Sequence, residues 1–91
     1  MSKIEEFILD RIKQKQYVLT AHARIRMSER LFTDADIINI AETATAIIRQ
    51  EDNDTFLIEG TNTWEEDFSI SVAVRKNIII VTIFFNDERD L

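Results

Sequence analysis

Residues 68–85 read FSISVAVRKNIIIVTIFF, and this stretch decides the fold of the C-terminal half of the chain. Apolar and small residues alternate from position 68 to position 74, which is typical of a β-strand with one buried face. Residues 78–85 are apolar except for Thr82, as expected of an inner strand covered on both faces or of an interface strand. The connection at residues 75–77 is short and polar, so the two strands are predicted to form an antiparallel hairpin.

Two shorter segments rich in β-branched and aromatic residues precede this hairpin, at residues 47–50 and 56–60. Polar turn clusters separate them from each other and from the strands predicted at residues 68–75 and 78–85. The four segments therefore predict a four-stranded antiparallel sheet.

In the first half of the chain, apolar residues recur at the spacing of α-helices. Ser2 and Glu5 have the spacing of a capping box, and the apolar residues that follow recur at helical intervals. This pattern predicts a first helix to about residue 15, followed by a short extended link at residues 17–19. Thr20 is the predicted N-cap of a second helix, which runs to about residue 31.

The segment FTDADI, residues 32–37, is the clearest helix start in the chain. Thr33 is in the capping position, Asp34 and Asp36 favour the positive end of the helix dipole, and Phe32 is placed to pack against Ile37. This third helix is predicted to run to about residue 45. Helices followed by an antiparallel meander predict an α+β fold, with three N-terminal helices packed on one face of a four-stranded antiparallel sheet.

Composition limits the class of protein. A chain of 91 residues, 45% apolar and 31% charged, fits a single domain over residues 1–91. It contains no cysteine, which excludes a disulfide framework, a thiolate zinc site and a catalytic thiol. The longest apolar run is far shorter than a membrane span, and the acidic N-terminal stretch does not fit a signal peptide. We therefore expect a cytoplasmic protein with no membrane partner.

The charge of the chain is unevenly distributed. The net charge of −6 argues against a protein that coats nucleic acid non-specifically. Residues 11–30 nevertheless hold six basic side chains and one acidic one, for a local charge of +5, whereas residues 51–67 hold seven acidic side chains and no basic one. The basic segment indicates an anion site and the acidic segment a surface for a basic partner, although two ordinary solvated faces explain the same pattern.

The basic segment contains the one histidine of the chain in a regular row. His22, Arg26 and Arg30 are spaced i, i+4 and i+8, which places them on one stripe of the second helix. The adjoining stripe, predicted to face the core, consists of Ala23, Met27 and Leu31. Two guanidinium groups beside one imidazole suit a phosphate, and the imidazole can move a proton near neutral pH. The alternative is an ordinary solvated helix face, and a metal site is not predicted because His22 has no partner ligands at the usual spacing.

Thr82 interrupts the apolar run of the last predicted strand. A two-residue alternation puts its side chain on the strand face of Ile78 and Ile80, where a buried hydroxyl needs a hydrogen-bond partner. If that face meets the second helix, Thr82 reaches a ligand held by His22 and Arg26. Otherwise it packs as an ordinary β-branched residue.

A set of residues along nearly the whole chain carries a family resemblance: Tyr17-x-x-Thr20-x-His22-Ala23-x-x-Arg26-Met27-x-x-Arg30, Phe32-Thr33-x-x-Asp36-Ile37, Gly60 and Val81-Thr82-Ile83-Phe84. In these residues the chain resembles the bacterial domain-of-unknown-function 4258 family of small proteins. The resemblance implies a RelE/BrnT-like toxin-type fold, the fold of the barnase, EndoU, colicin and RelE ribonucleases. It also implies that His22, Arg26, Arg30 and Thr82 line the equivalent of a nuclease cleft.

We therefore predict a RelE-like protein of toxin–antitoxin type that cleaves RNA without a metal, by attack of a 2′-hydroxyl on its own phosphate. In this prediction His22 is the general base or acid, Arg26 and Arg30 neutralise the phosphorane charge, and Thr82 orients a phosphate oxygen. RNA and an antitoxin are the partners that this prediction implies. The alternatives are a non-catalytic module whose acidic surface at residues 51–67 binds a basic partner, or a degenerate family member without activity. These alternatives leave open whether the protein is an enzyme. No cofactor is implied, and the oligomeric state is not predicted.

Overall fold

Three capped helices form the first half of the chain in a computed structural model that describes residues 2–85. Their bounds are Lys3–Lys13 for α1, Ala21–Glu29 for α2 and Asp34–Glu42 for α3. The N-caps are Ser2, Thr20 and Thr33, as the sequence predicts. In α1 and α3 the capping is reciprocal: the cap side chain accepts from an amide in the first turn, and a carboxylate of that turn accepts from the cap amide.

All three helices end earlier than predicted, at residues 13, 29 and 42. Lys15 and Leu31 have φ angles of 61° and 54°, so the backbone turns left-handed shortly after α1 and α2 and leaves the helical path. After α3, the Thr43 hydroxyl donates to the carbonyl of Asn39 at 2.7 Å and satisfies a terminal acceptor of the helix. The sequence places helix ends less sharply than helix starts because no glycine or proline marks these ends.

The sheet has five strands in the described part of the chain, not the predicted four. The strands are β1 Val18–Leu19, β2 Ala46–Gln50, β3 Thr55–Thr61, β4 Asp67–Val74 and β5 Ile78–Phe85. Their order is β1-β5-β4-β3-β2, and β2 to β5 form the predicted antiparallel meander. The additional strand is β1, which lies in the segment predicted as an extended link. Val18 of this strand pairs in parallel with Ile79, and Leu19 pairs with Ile80. Two residues are too few to show an alternation, so this mixed sheet could not be predicted from the local pattern.

The helices pack on one face of the sheet, as predicted. The strand residues of that face belong to one buried cluster, which includes Phe56, Ile58, Phe68, Ile70, Val72, Ile78, Ile80 and Ile83. The helices contribute Ile8, Ile12, Ala23, Met27, Ile37 and Ile40 to the same cluster, and the connection between α2 and α3 contributes Phe32. This continuous apolar layer holds α1, α2 and α3 against the sheet.

A β-bulge interrupts the pairing of β4 with β5. Ser71 lies opposite Thr82, but the next residue, Val72, lies opposite Ile80, so Val81 is an extra residue on β5. The extra residue reverses the alternation of side chains along β5. Ile80 faces the helices before the bulge, and Ile83 rather than Thr82 returns to that face after it.

The single glycine of the chain lies where α3 approaches the sheet most closely. A Cβ atom on Gly60 would lie 2.6 Å from the carbonyl oxygen of Ile40 and 3.0 Å from the Thr43 hydroxyl. Only a residue without a side chain therefore allows the α3 backbone this close to β3. Among residues 2–85, no helix has the length and apolar character needed to cross a membrane.

Candidate functional site

The start of α2 is fixed to the middle of β5 by Thr20. The Thr20 hydroxyl donates to the carbonyl of Val81 at 2.6 Å and accepts from the amide of Ala23 at 3.0 Å. The Thr20 amide also donates to the carbonyl of Ile80 at 3.2 Å. The N-cap therefore joins the helix to the bulged part of the strand, which sets the position of every side chain on α2.

Arg26 and Arg30 extend the row along β5 toward its C-terminal end. The half-buried Arg26 donates from Nε to the carbonyl of Ile83 at 3.2 Å. Arg30, the C-cap residue of α2, places its guanidinium carbon 5.1 Å from the centroid of the Phe85 ring. One guanidinium is thus held against the strand backbone and the other over an aromatic face, which restricts the positions of both charges.

His22 begins the same row in the first turn of α2, where its side chain is exposed. The helix places His22 and Arg26 on one stripe about 6 Å apart along its axis, because four residues rise about 1.5 Å each. The positive end of the helix dipole also lies at this turn and favours an anion there. The structure therefore brings His22, Arg26 and Arg30 to one surface beside β5, as their spacing predicts.

The apolar stripe beside this row is only partly as predicted. Ala23 and Met27 are buried under α2, but Leu31 is 88% exposed and does not contact the core as expected. The left-handed turn at Leu31 brings Phe32 into the core in its place, with the Phe32 amide donating to the carbonyl of Met27 at 2.8 Å. The helical spacing fails here because the helix has already ended.

Thr82 does not join the row, because the expectation for its strand face is wrong. Thr82 pairs with Ser71, which alternates with the core residues Ile70 and Val72, so Thr82 faces away from the helices. Its hydroxyl has a long contact of 3.4 Å with the carbonyl of Ile83. The cause is the bulge at Val81, for which the sequence of the strand gives no signal.

Asp36 does more than favour the start of α3, which is the role that its position in the sequence predicts. Its carboxylate is 3% exposed and accepts from the amide of Thr33 at 2.8 Å and from the amide and hydroxyl of Thr63 at 2.8 and 2.6 Å. Burial raises the pKa of this carboxyl, but the hydrogen bonds from Thr63 and Thr33 outweigh burial and leave the pKa below its ordinary value. The start of α3 and the turn between β3 and β4 are therefore joined through one buried carboxylate.

The turn that Asp36 holds displays the one tryptophan of the chain. Trp64 is 81% exposed, and its amide donates to the side-chain oxygen of the buried Asn62 at 3.0 Å. Asn62 also accepts from the amide of Glu66 and donates to the Glu66 carboxylate, both at 2.9 Å. A large apolar side chain is thus presented to solvent on a turn held by several hydrogen bonds, next to Glu65 and Asp67.

Of the predicted site residues, the structure groups three and separates one. His22, Arg26 and Arg30 present an imidazole and two guanidinium groups, which can bind a phosphate and transfer a proton, whereas Thr82 lies on the opposite face of the sheet. No protein-family model, no curated protein and no solved structure matches this chain.

Proposed function

We propose that the chain is a RelE-like toxin-type protein that binds the phosphate groups of RNA along the row formed by His22, Arg26 and Arg30 and cleaves the RNA without a metal. The observation that supports this proposal most is the fixed position of Arg26, whose Nε donates to the carbonyl of Ile83. A guanidinium held in this way needs little further ordering to contact a phosphate. His22 and Arg30 extend its charge and chemistry in both directions along α2.

In the proposed reaction the imidazole of His22 takes the proton of an RNA 2′-hydroxyl. The 2′-oxygen then forms a bond to the adjacent phosphorus, the bond from phosphorus to the 5′-oxygen breaks, and the leaving 5′-oxygen takes a proton from solvent. Arg26 and Arg30 stabilise the extra negative charge of the phosphorane, which is where fixed cations are most effective. Thr82 has no part in this mechanism, because it lies on the other face of the sheet.

The acidic character of the whole chain makes the expected binding local and sensitive to salt. The net charge is −6, so the attraction comes from the basic surface of α2 and not from the molecule as a whole. Each phosphate contact with a single strand makes the decrease of log affinity with log salt concentration steeper by about 0.7. Loss of Arg30 should therefore reduce both the affinity and the salt slope.

The test is the binding of a fluorescein-labelled single-stranded RNA, followed by fluorescence anisotropy over a range of salt concentrations. Arg30→Gln should weaken binding about tenfold or more at low salt, the effect of losing one hydrogen-bonded charge pair. Arg24→Gln is the matched control, because Arg24 is exposed on the same helix but lies away from the row. Equal effects of the two substitutions would refute the row as an RNA site.

The exposed Trp64 favours a second candidate function, that of a module that binds a basic protein segment. Trp64 lies on a hydrogen-bonded turn next to Glu65, Glu66 and Asp67, and exposed tryptophans are frequent anchors of protein interfaces. A partner with apolar and basic side chains would match the apolar ring and the negative charge of this surface.

The single tryptophan also provides the test of this second function. A synthetic peptide of alternating lysine and leucine should shift Trp64 emission to shorter wavelength, because binding removes the ring from water, and a glutamate–leucine peptide should not. Glu65→Lys should weaken the response to the lysine–leucine peptide. An unchanged emission spectrum with both peptides would reject this candidate without bearing on the RNA site.

A further inference from the structure

A cleft on the other side of the molecule from the Trp64 turn has the character of an anion site. It lies between α1, the segment that leads into β1, and the hairpin that joins β4 to β5, and its volume is about 260 Å³. Its lining includes Phe7, Arg11, Tyr17, Arg75, Lys76 and Asn77. Three of these side chains are cationic, and none of the residues that line the cleft within the described part of the chain is acidic.

The cationic groups of this cleft are partly fixed in position. Arg11 donates from Nη1 to the side-chain oxygen of Gln16 at 2.7 Å and lies 4.9 Å from the centroid of the Phe7 ring. Arg75 donates to the carbonyl of Val74 at 3.0 Å and lies 3.6 Å from a carboxylate oxygen of Asp54, which neutralises part of its charge. Two cations from the hairpin and one from α1 therefore converge from parts of the chain that are distant in sequence.

The same cleft offers an aromatic surface. The Phe7 ring is 42% exposed although it is fully apolar, and α1 presents it beside Arg11 at the cleft. A planar ring can stack on an aromatic face, while an attached phosphate forms charge-assisted hydrogen bonds with arginine and lysine. A cavity of about 260 Å³ is slightly smaller than common ligand pockets of about 300–1,000 Å³, so part of such a ligand would stay in solvent.

We infer that this cleft binds a nucleotide unit, with its phosphate at Arg11 and Lys76 and its base on Phe7. The unit comes either from a free nucleotide or from an RNA strand. This site is separate from the row on α2 and does not depend on the proposed cleavage. Its location next to β1 and the start of β5 places it near the opposite end of β5 from Arg30 and Phe85.

The test is a titration of the ¹⁵N-labelled protein with AMP, followed by NMR, with affinities measured by calorimetry. AMP should shift the amides of Val18, Asn77 and Ile78, which border the cleft. Arg11→Gln should weaken AMP binding about tenfold, as expected for one charge-assisted hydrogen bond. Lys13→Gln is the matched control, because Lys13 is an exposed cation of the same helix outside the cleft, and it should leave the affinity almost unchanged.

Two further probes separate the ring from the phosphate and the free nucleotide from the strand. Phe7→Ala should weaken the binding of AMP but not that of ribose 5-phosphate, because only AMP carries a base. A short oligoadenylate that shifts the same amides in the Arg30→Gln protein would show that the cleft also takes a nucleotide from a strand. The inference is overturned if AMP leaves the cleft amides unmoved, if its shifts are confined to α2, or if Arg11→Gln binds AMP as well as the parent.

Discussion

The replacement Asp36→Ala should be the most damaging single change to an acidic side chain in the described chain. Asp36 is 3% exposed, and its carboxylate joins Thr33 at the start of α3 to Thr63 in the turn after β3, which lies 27 residues beyond Asp36 itself. Both backbone contacts are 2.8 Å long, and the hydroxyls of Thr33 and Thr63 add contacts of 3.0 and 2.6 Å. Alanine removes all four hydrogen bonds at once.

The expected cost follows from these contacts. Each hydrogen bond to a charged group contributes about 1.5–3 kcal/mol, but the four share one carboxylate and are not additive. Thr63 is exposed, so water can satisfy some of the donors that the substitution leaves. We therefore count only the two short backbone contacts, each near the lower end of this range, and expect a loss of roughly 3–4 kcal/mol in the free energy of unfolding. For a domain of this size, such a loss lowers the melting temperature by more than about 10 °C.

Urea denaturation followed by far-ultraviolet circular dichroism measures this loss. Asp10→Ala is the control, because Asp10 is an exposed acid on α1 and its removal changes the net charge equally. That control should lie within about 0.5 kcal/mol of the parent. A cost for Asp36→Ala of less than about 1 kcal/mol would refute the view that this carboxylate joins α3 to the turn.

Three further predictions concern α3 and the residues that contact it. The pKa of Asp36 is lower in the folded protein than in the unfolded chain, so its carboxylate stabilises the fold fully above the unfolded pKa, and this stabilisation is lost as pH falls through the folded pKa. The free energy of unfolding, measured by urea denaturation at a series of acidic pH values, should therefore fall less steeply with decreasing pH for Asp36→Asn than for the parent. Gly60→Ala should cost about 1–3 kcal/mol in urea denaturation, because the new methyl group would lie 2.6 Å from the carbonyl oxygen of Ile40, and a neutral result would contradict the close approach of α3. Thr33→Ala should cost roughly 0.5–2 kcal/mol through the lost N-cap, and an unchanged midpoint would mean that the cap contributes nothing.

The helix starts and the meander could be predicted from sequence because their signals are local. Thr20 and Thr33 cap their helices through contacts within three residues, and the strand predicted at residues 68–75 is β4. The single buried face expected of this strand is wrong, because the small residues of its other face, Ser69, Ser71 and Ala73, are buried as well. β1 could not be predicted, since its two residues become a strand only by pairing with β5, some 60 residues later in the chain. Non-local pairing of this kind leaves no trace in a short window of sequence.

In the candidate site, too, the features set by local spacing could be predicted and those set by non-local contacts could not. His22, Arg26 and Arg30 lie on one stripe because helical spacing decides their direction, and the structure agrees. For Thr82 the sequence predicts the wrong face, because one bulged residue reverses the alternation of β5. The nucleotide cleft was not predicted at all, since Arg11 and Lys76 belong to elements that only the folded chain brings together.

We propose that His22 transfers a proton during RNA cleavage, and the cleavage rate of a single-stranded RNA in the presence of EDTA tests this role. The parent protein should cleave it to 2′,3′-cyclic phosphate ends, and His22→Ala should lower the rate by a factor of about 10²–10⁴. The variant should keep the melting temperature of the parent, because His22 is exposed, and should keep most RNA binding, because the arginines supply the charge. A parent protein that cleaves no RNA, or a His22→Ala variant that cleaves as fast as the parent, would contradict the claim.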